Sequence, residues 1–297
     1  MPEDAIENLP DGLKPGPPEG WERAWWRPMN YGLAMLVVAL FGVPLIWMIA
    51  TSLRPLGMPP ATQFEWLPPM LSLTNYPQLF RILEIGLFAR NSVMVVLIAV
   101  PLTLLTASLA GFALAELGPR LRGILVTVSV IAMLVPAITL WITRFLVFKW
   151  VGILDTPMAL IAPAIMGTSP LFVLMFAWAF QRLPRELIEQ AMIDGASPWR
   201  VWWTLALPLV RPITLAVAIL SAKYYWSDFI SPLFYIQSQE FYTLPIGLQA
   251  LQQMDRTNWP LLMAGSVLLT LPVLVVFILA QRYFFQEERQ RGWLEQR

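Results

Sequence analysis

Apolar segments that are long enough to cross a lipid bilayer recur along the whole chain. They cover residues 30–51, 91–115, 123–147, 157–181, 204–235 and 260–284. Each contains about 20 or more residues, the length that a helix needs to cross the hydrocarbon core. A backbone in lipid must pair its own N–H and C=O groups, so only helices and closed barrels span membranes. These long runs predict an all-α polytopic membrane protein with six transmembrane helices.

The composition agrees with a membrane protein and excludes several kinds of function. Hydrophobic residues make up 57% of the chain and charged residues 13%, whereas soluble domains have about 25% charged residues. The net charge of +1 provides no basic field for a nucleic-acid partner. The chain has no cysteine and no histidine, so a zinc, copper or haem site is not expected, and Ser-His or Cys-His catalysis is impossible. We therefore expect no metal, no bound cofactor and no catalytic residue.

The charged residues between the apolar segments indicate an orientation. If the N-terminus is inside, lysine and arginine are about twice as frequent in the inside segments as in the outside ones, which is the bias of cytoplasmic loops. We therefore expect both termini in the cytoplasm. The chain divides into a disordered N-terminal tail at 1–27, a transmembrane domain at 28–286 and a C-terminal tail at 287–297. The same orientation places residues 182–200 in the cytoplasm.

A polar, helix-patterned segment at 184–208 separates the fourth and fifth apolar segments. Pro184 suits the first turn of a helix, and Gly195 suits the left-handed residue that ends one. Ser197 and Pro198 have the residue types of an N-cap and a first helical position. The apolar face of the first helix is predicted to contain Leu187, Ile188, Ala191 and Met192. The segment therefore predicts two short helices outside the bilayer. Another protein could bind them and transmit a displacement to the membrane helices.

The chain lacks a nucleotide-binding P-loop of its own. That motif requires Gly-Lys followed by Ser or Thr, because its lysine reaches the phosphates from a glycine-rich turn. The three lysines of this chain follow Leu13, Phe148 and Ala222. If transport is driven by ATP, the ATPase is therefore another polypeptide. The 184–208 segment is the sizeable cytoplasmic loop to which such an ATPase could bind.

The segment also carries a recognisable signature. Glu189-Gln190-Ala191 is followed after three residues by Gly195, and after nine more by Leu205-Ala206-Leu207-Pro208. This pattern resembles the EAA signature of permeases from binding-protein-dependent ABC importers, which reads E-A-A, three residues, G, nine residues, I-x-L-P. Gln190 replaces the first alanine and Leu205 replaces the isoleucine, and the spacing matches throughout.

Other landmarks are similar to the carbohydrate branch of that family, the MalG-like inner-membrane subunits. They are Asn91-Ser92, Trp226–Phe229, Tyr242–Leu248, Leu262–Gly265 and Gln281–Phe284. The resemblance covers about residues 30–286. It implies the type I ABC importer permease fold with a coupling helix at 184–199, and transport of a sugar, oligosaccharide or related polyol.

The resemblance also implies a set of partners and a location. Such permeases pair with a second permease, here expected to be a different chain, and with two copies of an ATPase subunit that hydrolyses ATP. They receive substrate from an extracytoplasmic solute-binding protein and lie in the bilayer of the prokaryotic cytoplasmic (inner) membrane. The C-terminal RGWLEQR departs from the family, whose members often end in a glycine-containing tail that reaches towards the ATPases.

Two groups of site residues follow. The resemblance assigns coupling to the ATPase to the EAA-loop residues Glu189, Gln190, Ala191, Asp194, Gly195, Leu207 and Pro208. Of these, Leu207 and Pro208 mark the entry into the fifth span. A candidate translocation path contains Lys223, Trp226 and Asp228. Lys223 lies about 18 Å along a helix from Arg211, and a central lysine costs about 2.5–3.5 kcal/mol on insertion scales. It is expected to face a polar substrate route, and the alternatives are an ion pair with Asp228 or snorkelling to the interface.

Three other functions compete with this interpretation. A permease of the same type could carry a solute other than a carbohydrate. A secondary transporter would need ionisable residues at the midplane for ion coupling, and only Lys223 qualifies. A membrane enzyme would need a cluster of catalytic residues, and no set of acids gathers in or beside the apolar segments.

Overall fold

The computed structural model describes residues 21–59, 68 and 70–294, with side chains described from residue 31 to residue 279 of these ranges. Within the described residues the chain is helical and contains no strand. The predicted all-α class is therefore confirmed. Most of the predicted N-terminal tail, residues 1–20, and the last three residues lie outside the described part.

The helices are labelled here in chain order. The α-helices are α1 (Trp21–Ser52), α2 (Asn75–Ile82), α3 (Ile85–Glu116), α4 (Pro119–Leu134), α5 (Ala137–Val151), α6 (Pro157–Ile161), α7 (Pro170–Phe180), α8 (Arg185–Ile193), α9 (Pro198–Val201), α10 (Leu207–Leu209), α11 (Arg211–Trp226), α12 (Ile230–Tyr235), α13 (Leu244–Met254) and α14 (Trp259–Leu294). Shorter turns of other types are the 3₁₀ segments Ala162–Met166 and Gln239–Phe241 and the π-helical segment Trp202–Ala206.

The described residues contain up to six candidate membrane spans when each bent helix pair is counted as one span. Four described segments are each long and apolar enough to cross a bilayer, namely Tyr31–Ser52, Ile85–Glu116, Pro157–Phe180 and Trp259–Leu279. The other two are pairs of helices that meet at a sharp bend, α4 with α5 at 95° and the 198–209 segment with α11 at 85°.

The third span is not the continuous helix that was predicted at 123–147. It breaks between α4 and α5 at Val135 and Pro136. Val135 has extended backbone angles, φ −68° and ψ 126°, because the ring of a following proline disfavours the helical region. Pro136 also has no N–H to continue the ladder of hydrogen bonds.

The fifth span also differs from the predicted helix at 204–235. It consists of a bend at Val210, the 16-residue helix α11 and a break at residues 227–229 before α12. At the bend, the Val210 N–H bonds to the carbonyls of Ala206 and Leu207. Pro212 then opens α11. At about 1.5 Å a residue, α11 is about 24 Å long.

The first and last helices, α1 and α14, extend into the segments that were predicted to be tails. α1 begins at Trp21, within the region expected to be disordered, and α14 continues to Leu294, within the predicted C-terminal tail. Residues 21–27 contain neither glycine nor proline, and residues 285–291 are rich in glutamate, glutamine and arginine. These residue types favour helix, so the apolar spans continue as helices into polar sequence.

α3 lies at the centre of the fold. A first cluster of buried side chains joins it to α7, to the 184–210 loop and to α11, through residues such as Phe112, Phe176, Trp202 and Val217. Two further clusters join α3 to the segments around 148–164 and 225–236, and to α2, α13 and α14. A displacement of any of these elements is therefore transmitted to α3.

The fourth span is interrupted between its 3₁₀ segment and α7. Gly167 and Thr168 both have left-handed backbone angles, with φ of 73° and 63°. The Thr168 hydroxyl hydrogen-bonds to those of Thr103 on α3 and Tyr225 on α11. Thr106 donates to the Ala164 carbonyl at 2.7 Å. Hydroxyl groups on neighbouring helices thus satisfy the backbone and side-chain groups that the break exposes in the membrane.

The contact between α3 and α7 is close because residue 111 is glycine. A Cβ atom added to Gly111 would lie 2.5 Å from the Phe176 Cβ and 2.9 Å from the backbone N of Ala177. Backbone atoms cannot move aside as a flexible side chain can, so any larger residue forces the helices apart.

We therefore predict that Gly111→Ala destabilises the protein by about 1–3 kcal/mol through overpacking. The measurement is the thermal midpoint at which purified protein in detergent loses its monodisperse size-exclusion peak. Gly123→Ala is the matched control, because Gly123 lies on α4 with open space around its Cβ position, and this variant should keep the wild-type midpoint. Equal midpoints for both variants would contradict the close approach.

Candidate functional site

The loop between α7 and α11 begins with helix α8, which ends in a Schellman motif. Gly195 has φ of 85°, in the left-handed region. Its N–H bonds to the Met192 carbonyl, and the N–H of Ala196 bonds to the carbonyl of Ala191, both at 3.0 Å. These two bonds satisfy carbonyls that a helix end leaves unpaired. The helix stop predicted at Gly195 is present.

The second part of the loop starts at once after this turn. The Ser197 side chain accepts a hydrogen bond from the backbone N–H of Arg200, and Pro198 occupies the first helical position of α9. The chain then widens into the π-helical segment Trp202–Ala206 before α10 and the bend at Val210. The loop is therefore a helix, a glycine turn and a second helix, as the sequence indicated.

α8 is anchored to the spans through one narrow face. Ile188 is buried and Ala191 is half-buried, and both belong to the cluster that contains Trp202 and Phe180. Leu187 and Met192 were predicted on the same face but are each 42% exposed. The side of α8 that packs on the spans is therefore narrower than the predicted apolar face. It contains Ile188 and Ala191 but not Leu187 and Met192.

The remaining predicted coupling residues are mostly accessible. Glu189, Gln190, Asp194 and Gly195 are exposed on α8 and its turn. Leu207 is half-buried and packs against the first cluster, whereas Pro208 is exposed at the bend. The predicted coupling residues thus fall into two sets, one on α8 and its turn, and the other, Leu207 and Pro208, just before α11.

Three apolar side chains of the loop that were not among the predicted site residues are strongly exposed. Ile193, Trp199 and Trp203 have exposed fractions of 84%, 60% and 59%. Trp202, between the two exposed indoles, is 1% exposed, and its ring lies 4.8 Å from that of Trp199. Trp199 and Trp203 are four residues apart in the sequence, and residues at that spacing share a helix face. The spacing therefore indicated that the two indoles lie on one side of the segment.

The candidate path residues have three different environments. Lys223 is exposed in the last turn of α11, where the helix dipole favours a cation. Trp226 is buried, and its Nε1 donates to the Leu269 carbonyl at 2.8 Å. Asp228 accepts from the backbone N–H of Ser231. No ion pair joins Lys223 to Asp228 in the described part of the chain.

Lys223 and Trp226 share one cavity, and Asp228 does not line it. The cavity has a volume of about 460 Å³ and lies between α3, α11 and α14. Its other lining residues are apolar, among them Val93, Leu97 and Phe277. Since α11 is about 24 Å long, Lys223 lies within about one turn of its end and not at its middle.

Residues from the predicted family landmarks meet at the same end of α11. The Asn91 side chain donates to the carbonyls of Glu240 and Tyr242, and the Ser92 hydroxyl accepts from the N–H of Leu244 at 2.9 Å. Asn91-Ser92 and Tyr242–Leu248 were separate motifs in the sequence. In the structure they form the two sides of one hydrogen-bonded joint.

A second joint lies nearby in the loop after α5. Asp155 accepts from the backbone N–H groups of Gln237 and Ser238, each at 2.8 Å, and from the Ser238 hydroxyl. The hydrogen bond from the Ser238 side chain, together with the two from the backbone, lowers the pKa of Asp155 below its ordinary value. This carboxylate is therefore ionised at neutral pH and fixes the loop that precedes α6 to the segment that follows α12.

The structure offers no obvious metal centre. Within residues 21–294, as far as they are described, no group of three His, Cys, Asp or Glu residues is placed to hold a metal ion.

The arrangement of helices is that of a known transporter. A bacterial ABC transporter involved in the import of the acidic polysaccharide alginate matches with a TM-score of 0.69 and 18% sequence identity, over 90% of this chain and 99% of that chain. The same kind of transporter, in complex with its alginate pentasaccharide-bound periplasmic protein, matches with a TM-score of 0.64. The expected type I importer permease fold is confirmed.

The sequence is similar to permease proteins over most of its length. The arabinooligosaccharides transport system permease AraQ of Halalkalibacterium halodurans is 33% identical, and the match covers 86% of this chain and 92% of that protein. The sulfoquinovosyl glycerol transport system permease SmoH of Agrobacterium fabrum is 29% identical, over 86% of this chain and 90% of that protein. The lactose transport system permease LacG of Rhizobium radiobacter is 30% identical, over 71% and 77%.

A family model also matches directly. The model of the binding-protein-dependent transport system inner membrane component aligns with residues 99–290. This range includes α8, its glycine turn, α11 and the Tyr242–Leu248 side of the joint. The chain belongs to the family of inner-membrane permease components of binding-protein-dependent ABC transport systems.

Proposed function

We propose that this chain is one of the two permease subunits of an ATP-driven importer for a sugar, an oligosaccharide or a related polyol. The observation that carries the proposal is the exposed helix α8, which lies outside the spans and is packed through Ile188 onto the cluster shared by α3, α7 and α11. The substrate class is supported by the relatives, whose names specify arabinooligosaccharides, sulfoquinovosyl glycerol and lactose.

In this proposal α8 receives force from a separate ATPase dimer. The exposed side of α8 contains Glu189, Gln190, Asp194 and Gly195, and the exposed Leu187, Met192 and Ile193 add apolar area for a protein contact. A push on this helix moves Ile188 against Trp202 and Phe180. Because those rings also pack on α3 and α7, the displacement reaches the spans as a rigid-body shift of packed helices.

The ATP is bound and hydrolysed by the partner, and this chain binds no cofactor. The sequence has no P-loop. A secondary transporter is disfavoured because its coupling ion requires ionisable groups near the midplane, whereas Lys223 lies in the last turn of α11.

We further propose the prokaryotic cytoplasmic (inner) membrane as the location, with both termini and α8 in the cytoplasm. The bias of lysine and arginine between the loops supports this orientation. The joints at Asn91 and Asp155 then face the extracytoplasmic side. A solute-binding protein would deliver substrate there, as the periplasmic protein does in the alginate transporter complex.

The translocation path is proposed to be completed by a second, different permease chain. Lys223 is exposed and lines the open cavity between α3, α11 and α14. Trp226 positions α11 against α14 through its bond to Leu269, and Asp228 accepts from the backbone N–H of Ser231 in the first turn of α12. Of the three predicted residues, Lys223 is therefore the one proposed to meet substrate.

The proposed function predicts strict dependence on the ATPase. Uptake of a labelled oligosaccharide into cells that carry the complete transporter should cease when the ATPase subunit is catalytically dead. Tagged permease from the same cells should still co-purify with that subunit, which serves as the control for assembly. Uptake that persists without any active ATPase would show a secondary transporter.

Two substitutions in α8 should abolish transport without affecting membrane insertion. Glu189→Lys reverses an exposed charge at the proposed contact, and Gly195→Val places a β-branched residue at a left-handed position, which costs about 1–2 kcal/mol or more. The measurements are co-purification of the ATPase and ATP hydrolysis stimulated by the binding protein, each expected to fall at least tenfold.

Matched variants separate docking from folding. Glu116→Lys changes another exposed acid, at the end of α3 that adjoins the same side of the molecule, and should be neutral. Gly195→Asn keeps the turn, since asparagine adopts the left-handed conformation, and should retain most activity. Normal stimulated hydrolysis in both Glu189→Lys and Gly195→Val would refute the docking role.

Lys223→Ala should weaken transport if this side chain meets the substrate. Loss of one charge-assisted hydrogen bond, about 1.5–3 kcal/mol, corresponds to an increase of roughly 10–100-fold in the substrate concentration for half-maximal uptake. Lys149→Ala, at the end of α5, is the control and should be neutral. Unchanged kinetics and substrate range in Lys223→Ala would assign that lysine a structural role.

A further inference from the structure

The bend at Val210 sets the 198–209 segment almost perpendicular to α11. The 198–209 segment meets α11 at 85°, so if α11 crosses the bilayer, this segment runs nearly parallel to it. The exposed residues Trp199 and Trp203 are carried by this segment. Tryptophan is the side chain typical of the membrane–water interface, and amphipathic segments that lie in the interface plane present such residues to lipid.

A cavity of about 410 Å³ lies in the angle of this bend. It is lined by Trp203, Leu207, Pro208, Arg211, Thr214 and Leu215. Its walls are aliphatic and aromatic, and its lining contains one charged group, the guanidinium of Arg211. The Thr214 hydroxyl already donates to the Val210 carbonyl at 3.2 Å, which leaves Arg211 as the strong free donor.

The charge of Arg211 is not neutralised by the described part of the chain. The residue is exposed, and none of the described side chains or carbonyls forms an ion pair or hydrogen bond with it. It is also the first residue of α11, where the helix dipole is positive and favours an anion over a cation. The arginine and the helix N-terminus therefore present two positive potentials to one apolar cavity, and no acidic side chain from the described residues lines it.

We propose that this cavity binds an anionic phospholipid from the bilayer leaflet next to α8. The phosphate would lie on the Arg211 guanidinium at the start of α11, and an acyl chain would run along Leu207, Pro208 and Leu215, with the Trp203 indole at headgroup level. An apolar cavity with a basic group at the level of the headgroups matches a lipid better than a free phosphate. A free phosphate has no apolar part that could pack against the aliphatic walls.

Such a lipid would occupy the hinge that joins the proposed ATPase contact to α11. The inference depends on the proposed function only for the identity of the leaflet. Its test measures lipid binding and not transport, so failure of one is distinguishable from failure of the other.

The test is native mass spectrometry of the purified full chain with phosphatidylglycerol. We compare wild type, Arg211→Gln and Arg200→Gln, the last being an exposed arginine on the same loop that does not line the cavity. Arg211→Gln should weaken phosphatidylglycerol binding about fivefold, the equivalent of about 1 kcal/mol for one arginine near an anionic surface. Arg200→Gln should bind as wild type, and phosphatidylcholine with the same acyl chains should bind more weakly to wild type.

A second variant removes the space and keeps the charge. Leu215→Trp fills the aliphatic wall, and it should lower phosphatidylglycerol binding although Arg211 is intact. Competition by inorganic phosphate distinguishes the two sources of the anion. Weak competition supports a lipid site, whereas full displacement at millimolar phosphate would show a simple phosphate site and overturn the proposal.

Two further outcomes also overturn it. One is phosphatidylglycerol binding that is equal in wild type, Arg211→Gln and Leu215→Trp. The other is a loss of ATPase co-purification in Arg211→Gln with unchanged lipid binding, which would assign the cavity to the contact with the partner. Size-exclusion profiles confirm that each variant is folded before its binding is compared.

Discussion

The packing of the loop onto the spans is the contact on which the rest of the structure depends. A nine-residue helix is marginal in water by itself, and α8 keeps its shape because Ile188 and Ala191 rest on buried rings. The rings of Phe176 and Phe180 in the same cluster are stacked with centroids 5.9 Å apart, and Phe112 meets Phe180 edge to face at 5.4 Å. Close-packed rings of this kind transmit displacement and do not absorb it, so a helix outside the membrane is mechanically part of the spans.

The opposite end of the molecule is held by polar bonds. Asn91 and Ser92 fix the segment before α13, and Asp155 fixes the segment after α12. Hydrogen bonds to charged groups and paired amides have strict geometry, so these joints define positions that apolar packing alone leaves adjustable. The fold therefore combines an apolar contact at the α8 end with hydrogen-bonded joints at the other, and α3 contributes to both.

The sequence predicted what depends on local patterns and missed what depends on neighbours. The positions of the spans follow from hydrophobic length, and the stop at Gly195 follows from backbone conformation at one residue. The bends at Pro136 and Val210 could not be predicted, because a proline in a membrane helix is either absorbed or becomes a break according to which groups surround it. Lys223 appeared deep within a long span because the break at residues 227–229 after α11 was not predicted from the sequence.

The break in the fourth span has a consequence for how rigid that span is. A β-branched residue in the left-handed region costs about 1–3 kcal/mol, and Thr168 is held there by hydroxyl groups of α3 and α11. The strain is stored in one helix and the restraint is supplied by two others. The strained conformation of the fourth span at Gly167 and Thr168 therefore depends on the positions of α3 and α11, which supply the hydroxyl groups that hold it.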